Sequence, residues 1–418
     1  MKKLMLTSLV IVMITVLVAG CGNNTSAPTP STTTGTETSP APANPGTSAT
    51  PDGSASQSVK VPRGTLPLAA DSATRIADAY ALVDELAEMA SNYDRNAAKY
   101  NYTLNCLDPA GSAPAILLGA WVDAVLIATD GDVNIELGLS NAFSSGGATE
   151  ALNDMRIGLI DFVMTLQNYT ISYWPLSLVI HNPALGGNNA AVHASVMWDL
   201  YKSMPAVQNE YVEHGVPMFV WANDTTPLSY KATSPITSIS DIKGNIRAGA
   251  GPMQLFVTEV GASVFSSPIG DVYANIQNGV IDYLITSWHG IDAYKLYDPG
   301  VLNYYFDIKI GAHAHVLLAN HDTWAEIERN GYADAIMSVS GDYLLNFVSV
   351  WEGHENRCRE IAIANGGIIH VPTGQLETDI KNAYANVAEQ WIEETGGEAR
   401  AVYNKAAELT EYYNSIYH

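Results

Sequence analysis

Short apolar strands alternate with helices through most of this chain, and this alternation restricts the possible folds more than any other feature. Strand-like patterns occur at 102–107, 133–137, 160–164, 218–221, 246–248, 281–285 and 313–318. Helical patterns lie between many of them, and helices fill most of 322–418. Because strands joined by helices form sheets with crossover connections, we predict an α/β fold with helices flanking each sheet.

The composition allows a large core and disfavours polyanionic partners. The chain has 418 residues, of which 47% are hydrophobic and 15% charged, enough for two domains. Its net charge of -23 argues against binding nucleic acid or an anionic membrane surface, which require basic faces. For the same reason, recognition of an anionic ligand has to be local.

The first 21 residues have the pattern of a secretory signal. Lys2 and Lys3 precede an apolar run that ends at Ala19, and Gly20 leads into Cys21. Small residues before a cysteine resemble a bacterial lipobox, so we predict a lipid on Cys21. An ordinary signal peptide or a single membrane span are the alternatives. The protein is expected outside the cytoplasm, anchored to a bacterial membrane in the periplasm or at the outer face of the cytoplasmic membrane.

Two further segments precede the first predicted strand. Residues 22–60 are rich in Ser, Thr, Pro and Gly and predict a disordered tether. Residues 61–100 contain an accessory helix, predicted at 71–99 with Asp71 as its N-terminal cap. We expect this helix to pack on the core rather than to bind a partner.

The remaining cysteines, Cys106 and Cys358, lie in a chain that is predicted to be secreted. An oxidising compartment allows a disulfide between them. Two buried free thiols are the other possibility.

Ligands of open α/β sheets bind at the carboxyl ends of strands. The segments at or after predicted strand ends, which are therefore candidate binding segments, are 167–169, 221–223, 247–251 and 286–289. Among these, Arg247 sits in a glycine-rich strand exit where a backbone and a ligand can approach closely. A guanidinium matches a carboxylate with two parallel hydrogen bonds. We therefore predict a carboxylate clamp at Arg247. The alternative is a structural ion pair with an acid such as Asp282.

The same stretch resembles the substrate-binding subunits of tripartite ATP-independent periplasmic (TRAP) transporters, of the DctP-like family. The similar motifs are Pro235-Ile, Asp241-x-x-Gly244 before Ile246-Arg247, Gly261-Ala262, Asp271-Val-Tyr273 and Gln277-x-Gly279-Val-x-Asp282. This chain has one residue fewer than the family between Gly244 and Arg247. Similarity continues at 158–176 and at 319–324, so that the resemblance covers roughly residues 100 to 400.

This resemblance implies a two-lobed, Venus flytrap fold with a ligand in the cleft. The lobes are predicted at 101–223 with 312–350, and at 224–311 with 351–418 including the C-terminal helices. The implied function is capture of an organic acid anion for a transporter of two integral membrane subunits. No enzyme and no cofactor are expected, since we find no nucleophile elbow, phosphate loop or zinc motif.

The predicted ligand-binding residues come from the strand exits and from the family pattern. They are Gln167, Asn168, Tyr169, Trp221, Tyr230, Arg247, Ala250, Gly251, Ile269, Thr286, Ser287 and Trp288. Some family members have a second arginine where this chain has Pro227 to Tyr230, so a single clamp and a monocarboxylate are expected. Trp288 would stack on an apolar or aromatic acid, or else pack in the core.

Other interpretations stay open at this point. His313 and His315 lie on one face of a strand, as a pair of metal ligands would, but they lack a third ligand nearby. Hydrogen bonding to a ligand or core packing are the alternatives. Competing functions are a ligand-binding sensor lipoprotein, the binding protein of an ATP-driven importer, and a secreted hydrolase.

Overall fold

The computed structural model describes residues 61–64 and 68–418. The predicted signal peptide, Cys21 and the tether at 22–60 lie outside the described residues. None of the helices in the described part is both long and apolar enough to cross a membrane.

Nine strands and thirteen α-helices form the described structure. The strands are β1 (Tyr100–Cys106), β2 (Val133–Gly138), β3 (Phe162–Leu166), β4 (Val216–Tyr230), β5 (Asn245–Arg247), β6 (Ser263–Val264), β7 (Tyr283–Ile285), β8 (Tyr304–Ala319) and β9 (Ile368–His370). The helices are α1 (Ser72–Ala90), α2 (Ala113–Ala128), α3 (Ala148–Arg156), α4 (Ala190–Ser203), α5 (Pro205–Val212), α6 (Pro252–Glu259), α7 (Val272–Gln277), α8 (Trp288–Ala293), α9 (His321–Arg329), α10 (Ala333–Ser338), α11 (Val348–Ala364), α12 (Gln375–Thr395) and α13 (Ala399–Ile416).

All strands belong to one mixed sheet in the order β2-β1-β3-β8-β4-β7-β5-β6, with β9 paired to β8. The pairs of β1 with β2 and β3, and of β5 with β6 and β7, are parallel, as the alternation predicts. The two long strands, β4 and β8, run antiparallel to each other. One carries the chain from the first lobe into the second and the other carries it back, so they have to run in opposite directions.

Separate hydrophobic cores define the two lobes. Lobe I surrounds β1 to β3, and its core includes side chains of α1, α2, α4 and α13. Lobe II has two smaller cores, one between the sheet and helices α6 and α12, the other around α7, α8 and the end of α11. The α/β fold with helices flanking a sheet is therefore confirmed, whereas the lobe boundaries stay a prediction.

The connection between the lobes is irregular at the backbone level. The pairing of β4 with β8 shifts register between Ala222 and Thr225 and again between Thr226 and Leu228. Opposite these shifts, Lys309 has a φ of 53° and Gly311 a φ of 41°. Bulges bend and twist a strand locally, so this is where the shared sheet can change its curvature.

The accessory helix is shorter than predicted and packs on lobe I. Asp71 caps it by accepting a hydrogen bond from the Thr74 amide at 2.8 Å. The helix ends at Ala90 because the side chains of Ser91 and Asn92 hydrogen-bond to the carbonyl of Glu88 and close the last turn. Its apolar side contributes to the core of lobe I.

Both cysteines are buried free thiols. Cys106 belongs to the core of lobe I, whereas Cys358 belongs to that of lobe II. Of the two alternatives, the structure therefore contains the unbridged one.

Candidate functional site

A cavity of about 340 Å³ lies where the two lobes meet. Lobe I contributes the exits of β1 and β3, and lobe II contributes the exits of β5 and β7 with the start of α8. The lining is completed by Asn223 of β4, Ile269 after β6, Ala293 and Tyr294 at the end of α8, His313 and His315 of β8, and Trp351 of α11. The carboxyl ends of strands thus converge on this cavity, as expected for an open α/β sheet.

Arg247 lines the cavity from the last position of β5. It is half-buried, and its Nε donates to the Ser267 carbonyl at 3.4 Å. Among residues 61–64 and 68–418, no carboxylate lies within 4 Å of its guanidinium. Asp282 is exposed and accepts instead from the Asn245 amide at 2.8 Å, so the alternative of a structural ion pair is wrong for the described residues.

The glycine-rich exit after β5 has a packing reason. A Cβ added at Gly249 would lie 3.0 Å from Met253 Sδ and 3.1 Å from His313 Cε1. A side chain at this position would therefore require the side chains of Met253 and His313 to shift by a few tenths of an ångström. Glycine allows His313 to line the same cavity as Arg247.

Six of the twelve predicted ligand-binding residues meet in this cavity. They are Asn168, Tyr169, Arg247, Ile269, Thr286 and Ser287. Ser287 also caps α8, because its hydroxyl accepts from the Gly290 amide at 3.2 Å. This cap orients the strand exit so that Thr286 and Ser287 lie beside the cavity.

Three predicted aromatic residues lie outside the cavity lining. Trp221 is 1% exposed and stacks on the ring of His315, which separates it from the cavity. Trp288 packs in the core of lobe II against Tyr305, with 4.9 Å between ring centroids. Tyr230 stacks on Tyr304 at 5.3 Å in the other core of lobe II.

The other three predicted residues outside the lining form hydrogen bonds or a turn next to the elements that line the cavity. Gln167 is buried and donates to the Tyr211 hydroxyl at 2.7 Å. The carbonyl of Ala250 accepts from His181 Nδ1 at 3.3 Å. Gly251, with a φ of 70°, precedes α6 and closes the turn that begins at Arg247.

An acid and a histidine face each other here; the histidine, His289, lies in the predicted strand exit 286–289, whereas the acid, Asp108, was not predicted. Asp108 follows β1 in lobe I, and its Oδ1 lies 3.6 Å from Nε2 of His289 in lobe II. Both residues line the cavity. The strand-exit rule could have found Asp108, because it lies two residues beyond the end of β1.

Helix α11 positions His289 through two contacts. Nδ1 of His289 is 2.9 Å from Nε2 of His354, and the His289 backbone amide donates to Glu355 Oε2 at 3.2 Å. Arg357 donates to the other ring nitrogen of His354 at 2.9 Å. Burial, with the charges of His289 and Arg357, lowers the pKa of His354 to about 4. Burial also acts to lower the pKa of His289, but Asp108 and Glu355 outweigh it and raise that pKa.

His313 and His315 are part of the cavity wall. His315 Nδ1 donates to the carbonyl of His313 at 3.0 Å, and burial lowers the pKa of His315 to about 4. Burial, together with nearby His181, His315 and Arg247, holds the pKa of His313 well below its usual value. No group of three or more potential metal ligands occurs in the part of the chain that the structure describes.

A larger groove, of about 560 Å³, lies elsewhere on the described surface, along α12. Its lining contains none of the predicted ligand-binding residues. Its two lysines, Lys309 and Lys381, share the lining with two acids, Asp307 and Glu377. The interlobe cavity is the better candidate site, since strand ends meet there with a guanidinium that has no carboxylate partner in the described part of the chain.

The chain belongs to the family described as bacterial extracellular solute-binding protein, family 7 (DctP), whose sequence model matches residues 117–395. Proteins of this class are extracytoplasmic, bind small organic acids and work with membrane subunits; they are not enzymes. The resemblance to TRAP solute-binding proteins is thereby confirmed.

Solved structures support the same fold. A TRAP solute-binding protein from a marine metagenome, specific for aromatic acid ligands and bound to metahydroxyphenylacetate, has a TM-score of 0.68 and 18% identity over 75% of this chain and 99% of its own. One from Bordetella bronchiseptica with bound mandelate has a TM-score of 0.64 and 20% identity over 75% and 99% of the two chains. One from Rhodoferax ferrireducens with copurified benzoate has a TM-score of 0.66 and 17% identity over 76% and 99%. These likenesses confirm the two-lobed fold.

Proposed function

We propose that this protein captures a monocarboxylate, apolar or aromatic in its remaining part, and delivers it to a TRAP-type secondary transporter of two integral membrane subunits. The observation that carries this proposal is Arg247, which opens on an interlobe cavity and has no carboxylate partner among the described residues. A guanidinium in such a site pairs with an incoming carboxylate by charge-assisted hydrogen bonds.

The cavity walls support an acid with an apolar body. Leu107, Leu166, Ile269, Tyr169 and Tyr294 surround the polar groups. Aromatic rings and aliphatic side chains of this kind favour a ring or an alkyl chain. Related TRAP proteins bind benzoate, mandelate or metahydroxyphenylacetate, which is consistent with this ligand class.

Contacts from both lobes give the ligand a role in closure. Asn168 and Tyr169 belong to lobe I, whereas Arg247, Thr286 and Ser287 belong to lobe II. A ligand that touches both sets binds the closed form better than the open form, and this differential affinity shifts the equilibrium towards closure. We propose that the closed form docks on the membrane subunits, and that a lipid on Cys21 holds the protein at the membrane.

The proposal is tested by a thermal-shift screen of residues 61–418 against monocarboxylates, dicarboxylates and the matching amides. We expect at least one monocarboxylate to raise the melting temperature while its amide does not. Arg247→Ala should weaken binding by roughly 2–5 kcal/mol, because it leaves a buried carboxylate without its partner. Arg329→Ala, a change at an exposed arginine of α9, serves as the control and should bind normally. Equal shifts with acids and amides would contradict the carboxylate clamp.

A further inference from the structure

Asp108 is the only acidic residue that lines the interlobe cavity in the described structure, and Arg247 is the only arginine or lysine. The two come from different lobes, Asp108 from the exit of β1 and Arg247 from the end of β5. The cavity therefore offers one cation for a ligand carboxylate and one anion for another group.

The carboxylate of Asp108 has an unused oxygen. Its Oδ1 faces His289, whereas its Oδ2 is buried and has no hydrogen-bond partner within the described residues. An ionised carboxylate is an acceptor only. The group that satisfies Oδ2 must therefore be a donor, and a second carboxylate at this place would be repelled.

Two other side chains in the lining also have unused polar atoms. Oδ1 of Asn168 and Nδ1 of His313 are buried without a partner among the described residues, and His313 is only 7% exposed. Buried polar groups in native proteins are nearly always hydrogen-bonded. Three unpaired atoms in one cavity lining are therefore open to hydrogen bonds from a ligand or from water.

Tyr294 lines the cavity together with Arg247 and Asp108. Burial raises the pKa of its hydroxyl, Tyr169 and Asp108 raise it further, and Arg247 lowers it. Because the three residues share one lining, a small ligand can approach Arg247 with one group and Asp108 with another.

We propose that Asp108 is a specificity-determining residue of this site, which selects monocarboxylates that carry a hydroxyl or ammonium donor and rejects dicarboxylates. This inference rests on the proposed function and deepens it. Arg247 holds the carboxylate, and Asp108 Oδ2 accepts the hydrogen bond from the donor at the other end of the ligand.

The experiment compares acids that differ only in one group, by isothermal titration calorimetry. The aliphatic set is heptanoate, 6-hydroxyhexanoate, 6-aminohexanoate and adipate; the aromatic set is the phenylacetates with a 3-methyl, 3-hydroxy, 3-aminomethyl or 3-carboxy group. In at least one set, we expect a hydroxyl or ammonium acid to bind about 10-fold or more tightly than its methyl counterpart, and the dicarboxylate to bind most weakly.

Two variants separate the charge of Asp108 from its acceptor oxygens. Asp108→Leu removes both and should reduce the donor preference to less than about 3-fold. Asp108→Asn keeps an acceptor but removes the charge, so it should preserve part of the hydroxyl preference, lose the ammonium preference and improve dicarboxylate binding by about 10-fold. Thermal unfolding of both variants without ligand verifies that they fold.

The outcomes distinguish this inference from the proposed function. If the acids bind through Arg247 but the donor preference is absent or survives in Asp108→Leu, only the role of Asp108 is overturned. If no acid in either set binds the unsubstituted protein, the carboxylate-capture function fails and the inference fails with it.

Discussion

Two arginines illustrate how differently the two regions of this molecule use a charge. Arg75, in the first turn of the accessory helix α1 of lobe I, is 2% exposed and pairs with Glu352 at 3.1 Å. It also donates to the backbone carbonyls of Ala69 and Ala70. Arg247, at the cleft, donates to the carbonyl of Ser267 and has no carboxylate partner in the described structure. A guanidinium paired with a buried carboxylate supports the fold, whereas one without a carboxylate partner among the described residues is available for a ligand.

The largest expected effect tests the structural side of this comparison. Arg75→Met should lower the free energy of unfolding by about 3–5 kcal/mol, because Glu352 would remain buried without its partner. Urea denaturation measures the loss. The ligand affinity of the folded variant should stay within about threefold of the unsubstituted protein, since Arg75 does not line the cavity.

A surface pair provides the matched control. Arg400 lies 2.5 Å from Glu389, but both side chains are more than half exposed to solvent. Arg400→Met should cost far less unfolding free energy than Arg75→Met, because exposed ion pairs are screened by water. Equal losses for the two substitutions would break the distinction between a buried and an exposed pair.

A second prediction concerns an acid without a cationic partner near the cleft. Asp224 accepts from the Thr225 amide at 2.7 Å, and no cation of the described chain lies within 4 Å. Burial, aided by the charges of Glu355 and Glu352, raises its pKa to about 7, against the opposing effects of Thr225 and Lys309.

A raised carboxyl pKa means that the ionised form destabilises the fold at neutral and higher pH. The penalty is full above the folded pKa and disappears as the pH falls towards the ordinary aspartate value. Asp224→Asn should therefore stabilise the protein at pH 8 by about 2 kcal/mol, discounted for the partial exposure of the side chain, and by almost nothing near pH 4. Denaturation at both pH values measures the difference; a gain that is the same at both would contradict the account.

The smallest expected effect belongs to the contact between the lobes. The pKa of His289 is raised because Asp108 and Glu355 outweigh its burial. The stabilisation is fully present below the ordinary histidine pKa and is lost as the pH rises through the folded value. His289→Gln should thus cost less than about 1 kcal/mol at pH 5.5 and still less at pH 9. Thermal unfolding at the two pH values measures it, and a larger loss at pH 9 would contradict the sign.

The sequence predicted the fold better than the orientation of individual side chains. Alternating periodicity and the family motifs indicated the sheet, the flanking helices and the strand exits, because these depend on neighbours along the chain. The motif around Arg247 predicted its position at a strand end, and the structure leaves this arginine without a carboxylate partner in the described residues.

Orientation depends on contacts between distant parts of the sequence. Trp288 turns into the core because Tyr305, on the returning strand, provides a ring to pack against. Trp221 lies below the cavity because His315 covers it. The strands β4 and β8 are 15 and 16 residues long, whereas their apolar patterns predicted strands only at 218–221 and 313–318. They extend further because they pair with each other through polar positions such as Thr225. No local pattern encodes these pairings.

The long strands β4 and β8 also determine how opening and closing can occur. Each of these strands runs through the two lobes within one hydrogen-bonded sheet, so paired strands and not a flexible linker connect the lobes. Any relative rotation has to be absorbed as torsion where the pairing is already irregular, between Ala222 and Leu228. We therefore expect the lobes to move by a limited twist of this shared ribbon and not by a free swing about a flexible linker.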